Sequence, residues 1–383
     1  MLISLFNSGA GPSGGSFEAA ADQPLLDAAA QAKLNLPHSC KGGNCGACKA
    51  RLLRGEIHYP HGAPLGLSDA EIAEGMILLC QARARSDLTI ETFDMRAAQA
   101  GAPKRLPCRI ERAVPLSHDV MGLFLRLPIA EEFCFEPGQY IDVLLPGGRR
   151  RSFSIASPPH DARPLELHVR RVPGGEFTDR LFHDDMQSSL LNIEGPLGKF
   201  VYRPHSGPAP PMLLIGGGTG IAPLLSILKH VIENGIERDM RLFWGVRGEQ
   251  DLYARATLDA LSRRAASSGR AASSGRAASS GHAASSGHAA SSGRTASFSY
   301  APVLSEPDAP WRGLTGWVHE AAFVDLEDLE SCEVYAAGPP AMIAALQREY
   351  AARGASPSRL YFDSFDYAPD TLERQRMSAV TKS

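Results

Sequence analysis

The sequence has no excess of either charge. Lys and Arg total 39 and Asp and Glu total 42 in 383 residues, so nothing favours nucleic acid or another polyanion as a partner. The opening MLISLFNSG has no basic segment and no adequate apolar core, so no secretion signal is expected there. Without one, an odd count of seven cysteines argues against a disulfide framework. A reducing cytoplasm is the expected compartment. Long apolar runs are scarce too. The one nearly uncharged stretch, Pro210 to Leu228, contains Gly216, Gly217, Gly218 and Gly220. It is long enough for a membrane span, but it reads better as a strand, a glycine turn and the start of a helix.

What is present suits a chain of two to three domains, since hydrophobic residues make up 44% of it. Residues 1–95 form one unit: LISLF as a strand, LLDAAAQAKL as a helix, a cysteine loop, a short strand at Glu56–Tyr59, SDAEIAEG as a helix capped by Ser68 or Asp69, and Leu88–Thr92 as a closing strand. Small and polar residues mark a linker at 96–105. From Leu106 to about 207, short strands between Pro and Gly turns (CRIERAV, DVMGLFLRL, GQYIDVLL, RSFSIAS, LELHVRRV) suggest a small barrel. From 208 to 365 strands alternate with helices, the pattern of a parallel sheet flanked by helices. Residues 366–383 are read as a tail.

One segment breaks that alternation. Arg264 to Gly293 is three copies of RAASSG followed by two of HAASSG. It offers no large apolar residue to a core and no apolar rung to a solenoid. It is read as a flexible surface loop within a low-complexity insert at 264–297. Nothing fixes His282 and His288 in a metal-binding geometry.

Four of the cysteines carry chemistry. Cys40, Cys45 and Cys48 stand in the spacing C-x4-C-x2-C, and Cys80 follows 32 positions later. This is the plant-type [2Fe–2S] spacing, and thiolates are the soft ligands such a cluster requires. The loop reads CKGGNCGAC, where Gly42, Gly43 and Gly46 allow the backbone to wrap closely around the sulfurs. A zinc site would favour paired CxxC units, and only one pair is present; buried free thiols are the other alternative. Cys108, Cys134 and Cys332 lie in strand-like apolar contexts and read as core packing.

Residues 1–95, with NLPHSCKGGNCGACKARLLRGEI and ILLCQARARSDLTIE, resemble a plant-type ferredoxin, and nearly the whole chain, apart from the repeat and the tail, resembles reductase components that carry such a domain at the N-terminus. The resemblance, to the ferredoxin–NAD(P) reductase superfamily, implies a multidomain α/β and β architecture: a β-grasp ferredoxin-like domain, an antiparallel FAD-binding β-barrel and a C-terminal parallel α/β nucleotide-binding domain. It also implies that Arg151, Ser152, Phe153 and Ser154 form the flavin tetrad, with Arg151 on a flavin phosphate, Phe153 stacked on the isoalloxazine and Ser154 near its N5. Arg offers phosphate a bidentate fork, and an aromatic face suits a flat ring. The family usually has Tyr where this chain has Phe153.

Further along, HVRRVPGGEFTDRLF places His168 and Arg170 beside Gly174, Gly175 and Thr178, which open a helix and resemble the family's pyrophosphate turn; FAD is therefore expected rather than FMN. Gly216, Gly217, Gly218, Thr219 and Gly220, with Pro223, follow a strand and open a helix. Ile221 at the sixth position breaks a strict GxGxxG pattern, yet the loop resembles the superfamily's nicotinamide-dinucleotide loop. Gly338, Pro339, Pro340 and Met342 resemble its second loop, with Ala337 where relatives usually have Cys. Arg247 and Asp251 lie where relatives choose between NADH and NADPH, and Asp251 favours NADH. Phe365 stands where relatives place an aromatic over the flavin.

The expected protein is an NAD(P)H-dependent iron–sulfur flavoprotein, a monomer, passing electrons to a protein acceptor of the oxygenase or dehydratase type. The motifs lean toward the reductases of CDP-6-deoxy-glucoseen intermediates. The alternative is a non-enzymatic ferredoxin-type carrier with degenerate appendages.

Overall fold

The computed structural model describes the chain apart from residues 8–14, 33, 35, 37–42, 44–45, 47, 61, 65, 68, 93–102, 132, 185, 206–208, 275–296, 309, 325–328 and 366–383. Cys40, Cys45, Gly42, Ser68, His282 and His288 lie outside the described residues.

The first unit holds β1 (Leu2–Asn7), β2 (Ser16–Glu18), α1 (Leu25–Gln31), β3 (Lys49–Arg54), β4 (Ile57–His58), α2 (Asp69–Ala73), β5 (Met76–Leu78), β6 (Arg83–Ala84) and β7 (Leu88–Thr92). Five of the strands form a sheet in the order β2-β1-β7-β3-β5, with β1 and β7 parallel. Alternation places Ile3 and Leu5 of β1 and Leu88 and Ile90 of β7 in the core, where Leu25, Leu26, Ala28 and Ala29 of α1 cover them.

The second unit holds β8 (Lys104–Pro115), β9 (Val120–Arg126), β10 (Tyr140–Leu144), β11 (Arg150–Ser154), β12 (Leu165–Arg170), α3 (Glu176–His183) and β13 (Leu190–Leu197). Its antiparallel order is β11-β10-β13-β8-β9-β12. The two edges meet where Ile155 pairs with Leu167 and the Ala156 N–H donates to Glu166 O at 2.8 Å, so the sheet curls back on itself as the barrel pattern requires. Strand β8 begins inside the stretch read as linker.

The third unit holds β14 (Met212–Gly217), α4 (Ile221–Glu233), β15 (Asp239–Val246), α5 (Arg255–Ser274), β16 (Ser297–Leu304), β17 (Leu314–Thr315), α6 (Val318–Val324), β18 (Glu333–Gly338), α7 (Pro340–Ala352) and β19 (Leu360–Ser364). All six strands are parallel, in the order β17-β16-β15-β14-β18-β19. Along β14, Met212 and Leu214 join the cluster under α4 and α5, while Leu213 and Ile215 join the one under α6 and α7. Strand order reverses between β14 and β18. In such sheets that reversal opens a crevice at the carboxyl ends, where ligands bind.

Two expectations change, and a third, Pro210–Leu228 as a strand, a glycine turn and the start of a helix, holds. The repeat is not a loop from its first residue: α5 runs through Arg264 to Ser274. Ala265 is buried in the core and Arg264 reaches Glu233 at 3.6 Å. Alanine has the highest helix propensity, and extending an anchored helix is far easier than starting one. Cys134 is exposed rather than packed in a core. Pro210–Leu228 divides between β14, a 3-10 turn and α4, and no helix among the described residues is long and apolar enough to cross a membrane.

Candidate cofactor and nucleotide site

Strand pairing brings two distant cysteines together. Lys49 of β3 pairs with Leu78 of β5, and the Leu79 N–H donates to Cys48 O at 3.2 Å. Cys48 and Cys80 therefore flank one junction, both buried and with no disulfide between them. Gly43 lies against the same place. Gly43 has φ +83°, and a Cβ there would lie 2.8 Å from Gln81, the neighbour of Cys80. Only a residue without a side chain fits that approach.

In the barrel, Arg151 and Phe153 share one face of β11, and Ser152 and Ser154 share the other. Phe153 packs on Phe177 of α3, with ring centroids 5.6 Å apart. Ser154 is buried, and the Ser152 hydroxyl donates to Asp142 Oδ1 at 2.6 Å. Helix α3 starts after Gly175, as the motif suggested. Thr178 is buried, and its hydroxyl bonds back to Val172 and Gly175 of its own turn. It shapes the turn. Arg149, which the motif reading passed over, pairs with Glu176 in the first turn of α3.

In the third unit the two glycine-containing loops converge on the β14/β18 reversal. A Cβ on Gly217 would meet Met342 Sδ at 2.5 Å and Pro339 Cδ at 3.0 Å, and one on Gly220 would collide with Ala337 O. Residues 216–220, Ala337, Gly338, Pro339, Pro340 and Met342 are thus one packed assembly. Pro223 is buried in the first turn of α4, where a missing N–H costs no helical bond. Phe365 follows β19, half-buried against the core, and its N–H donates to Gly338 O at 2.9 Å. Asp251 differs from expectation. It is buried, and Oδ2 accepts from the Gly248 N–H at 3.0 Å, so it caps its own turn while Arg247 stands exposed.

Known proteins place this arrangement. Residues 10–85 match the 2Fe-2S iron-sulfur cluster binding domain, 107–202 the oxidoreductase FAD-binding domain, and 214–289 with 283–348 the oxidoreductase NAD-binding domain. The chain is 31% identical to the CDP-6-deoxy-L-threo-D-glycero-4-hexulose-3-dehydrase reductase of Yersinia pestis, over 92% of this chain and 96% of that protein. The chain belongs to the iron–sulfur flavoprotein reductases of the ferredoxin–NAD(P) reductase superfamily. It is also 32% identical to the reductase component of propane 2-monooxygenase from Rhodococcus jostii, over 91% of this chain and 88% of that protein. The crystal structure of the Amycolatopsis cytochrome P450 reductase GcoB superposes with a TM-score of 0.69 at 31% identity, covering 95% of this chain and 98% of that one.

The reductase is an NAD(P)H-dependent enzyme that uses FAD and a [2Fe–2S] cluster. The residues fit these groups. Two buried thiols, of Cys48 and Cys80, flank one strand junction beside Gly43, and a helix N-terminus follows the Gly174–Gly175 turn. The Ser364 hydroxyl, buried beside Phe365, has no hydrogen-bond partner among the described residues.

Sequence reasoning missed the seam between the flavin and nucleotide units. Lys229 of α4 meets Glu166 Oε2 of β12 at 3.0 Å and Ala156 O at 3.3 Å. Glu166 Oε1 lies 3.2 Å from His168 Nε2, and His168 Nδ1 lies 3.2 Å from the Tyr253 hydroxyl. Burial opposes ionisation of Glu166, but the His168 bond and the Lys229 charge outweigh it and bring its pKa down to about 2. Burial raises the Tyr253 pKa far above the ordinary value. Arg170 leans across the same seam: its Nε donates to Asp119 at 2.8 Å, and Nη1 lies 2.8 Å from where a Cβ of Gly218 would be. His118, Asp119 and Asp251 also gather here within 4.8 Å, but Arg170 already supplies that cluster's cation. No spacing in the chain announces the Asp119–Arg170, Glu166–Lys229 and His168–Tyr253 pairs, because their members lie 51 to 85 residues apart.

Proposed function

We propose that the reductase takes electrons from NADH and delivers them to a separate protein, a deoxysugar dehydrase or an oxygenase. The observation that carries this reading is the convergence of Gly216–Gly220 and Gly338–Met342 on one crevice, with Arg170 of the barrel leaning over it. When bound, the nicotinamide supplies a hydride, the flavin divides the electron pair and the cluster carries one electron at a time. The chain's own residues bind and orient. Arg151 and the Gly174–Gly175 turn hold flavin phosphates, and Phe153 and Ser154 border the ring. Gly216 to Gly220, Gly338, Pro339, Pro340 and Met342 would let a dinucleotide approach the backbone, and Phe365 would cover the flavin. Cys40, Cys45, Cys48 and Cys80 hold the iron. The Asp251 charge, although turned inward, shares a turn with Arg247 and disfavours a second phosphate. Near-equal identities to a dehydrase reductase and a monooxygenase reductase support either class of acceptor; the HVRRVPGGEFTDRLF and YFDSFDYAPD segments favour the dehydrase.

Cys45→Ser tests the order of carriers. A serine oxygen is a harder ligand than a thiolate, and the other two units have their own cores. The variant should lose iron and transfer to a one-electron protein acceptor, yet keep FAD and NADH-driven reduction of a small dye. Loss of dye reduction with FAD retained would refute the linear order.

A further inference from the structure

The dinucleotide loop is held from behind by an indole. Trp244 lies on β15 opposite Gly216 and is fully buried. Its Nε1–H donates to Gly218 O at 2.9 Å. The Ile221 N–H also reaches this oxygen, and is shared with Thr219 O. Gly218 itself has φ +55°, in the left-handed region.

A trans peptide points its C=O and its N–H in opposite directions. With the Gly218 carbonyl drawn inward to Trp244, the N–H of the same peptide unit, on Thr219, is turned away from β15. Backbone N–H groups presented at a loop that opens a helix are what a phosphate recognises. The indole is itself held in place. The Tyr253 ring meets it edge-on, with centroids 5.3 Å apart, and the Tyr253 hydroxyl contacts His168 of the barrel at 3.2 Å. A contact chain thus runs from barrel strand β12 to the Gly218–Thr219 peptide of the loop.

We propose that Trp244 is a positioning residue for the nicotinamide dinucleotide: by fixing the Gly218 carbonyl it aims the Thr219 N–H at a phosphate of the ligand. The inference rests on the crevice being the dinucleotide site. Its test is Trp244→Phe in the holoenzyme, which removes the indole N–H while the Ile221 N–H still reaches the carbonyl. Losing one neutral hydrogen bond should raise the KM for NADH by about three- to tenfold. The turnover number with a dye should stay within about twofold, with FAD and iron content unchanged, because transition-state contacts are untouched. Inhibition by ADP should weaken by the same factor as the KM, and inhibition by adenosine, which lacks phosphates, should not. Should the phenylalanine variant fail to fold, site-specific replacement of Trp244 by 3-benzothienylalanine keeps the shape and removes only the donor. An unchanged KM, or equal losses for ADP and adenosine, would overturn the proposal. So would a fall in turnover or FAD content at constant KM, which marks a packing role. If the parent enzyme oxidises no NADH, it is the reading of the crevice that fails.

Discussion

Glu166→Gln probes the seam that joins the flavin barrel to the nucleotide unit. The carboxylate bridges Lys229 at 3.0 Å and His168 at 3.2 Å, and the Glu166 and Lys229 side chains are only 21% and 16% exposed, so solvent screens the pair weakly. Its pKa falls from the ordinary 4.5 to about 2. At ~1.4 kcal/mol per unit, that difference is worth about 3 kcal/mol at neutral pH. The amide can still hydrogen-bond but leaves Lys229 with a carbonyl as its remaining partner. A loss of about 2–3 kcal/mol is expected, or roughly 4–10 °C in the unfolding midpoint of the flavin-containing part. The sign follows from the depressed pKa. The contribution is fully present above pH ~4.5 and disappears as pH falls toward ~2. The gap between parent and variant, followed by flavin release on heating, should be flat from pH 8 to 5 and fall to under about half by pH 3. A gap below about 1 °C at pH 7, or one that does not shrink in acid, would refute the argument.

Arg151→Ala should weaken flavin retention without changing iron content. Losing a charge-assisted phosphate contact costs ~1.5–3 kcal/mol, which is roughly ten- to over a hundredfold in affinity. Equal FAD occupancy after dialysis would remove Arg151 from the flavin site. Deleting residues 275–293 should leave NADH oxidation and flavin content nearly unchanged, because small polar residues build no core and lengthening a loop costs little. Deleting the full repeat from Arg264 should instead lower stability, because it removes Ala265 from the core and Arg264 from Glu233. The thermal midpoints of the two deletions decide between these outcomes.

Local signals carried most of the fold. The cysteine spacing, the period-two strands of the barrel and the strand–glycine–helix passage at Met212–Glu233 each depend on neighbours in the chain, which composition and periodicity record. The repeat shows where local reading stops. Its composition predicts a loop, yet α5 carries helix into it, because the cost of starting a helix is already met by packing upstream. Asp251 shows the same limit at the site: as a letter it is a charge facing the nucleotide, and only the turn around Gly248 buries it as a cap.

The sequence by itself determined the cofactor classes of this protein, a [2Fe–2S] cluster, FAD and a nicotinamide dinucleotide, and it supplied the residues proposed to hold them. Those requirements belong to residue type and short spacing. Only the tertiary structure decided how the two reductase units face each other. The Lys229–Glu166–His168–Tyr253 chain, the Asp119–Arg170 pair and the Trp244 hold on Gly218 all join separate elements. Such contacts depend on strand order and on which face of each strand points inward, and those are settled when the sheets assemble.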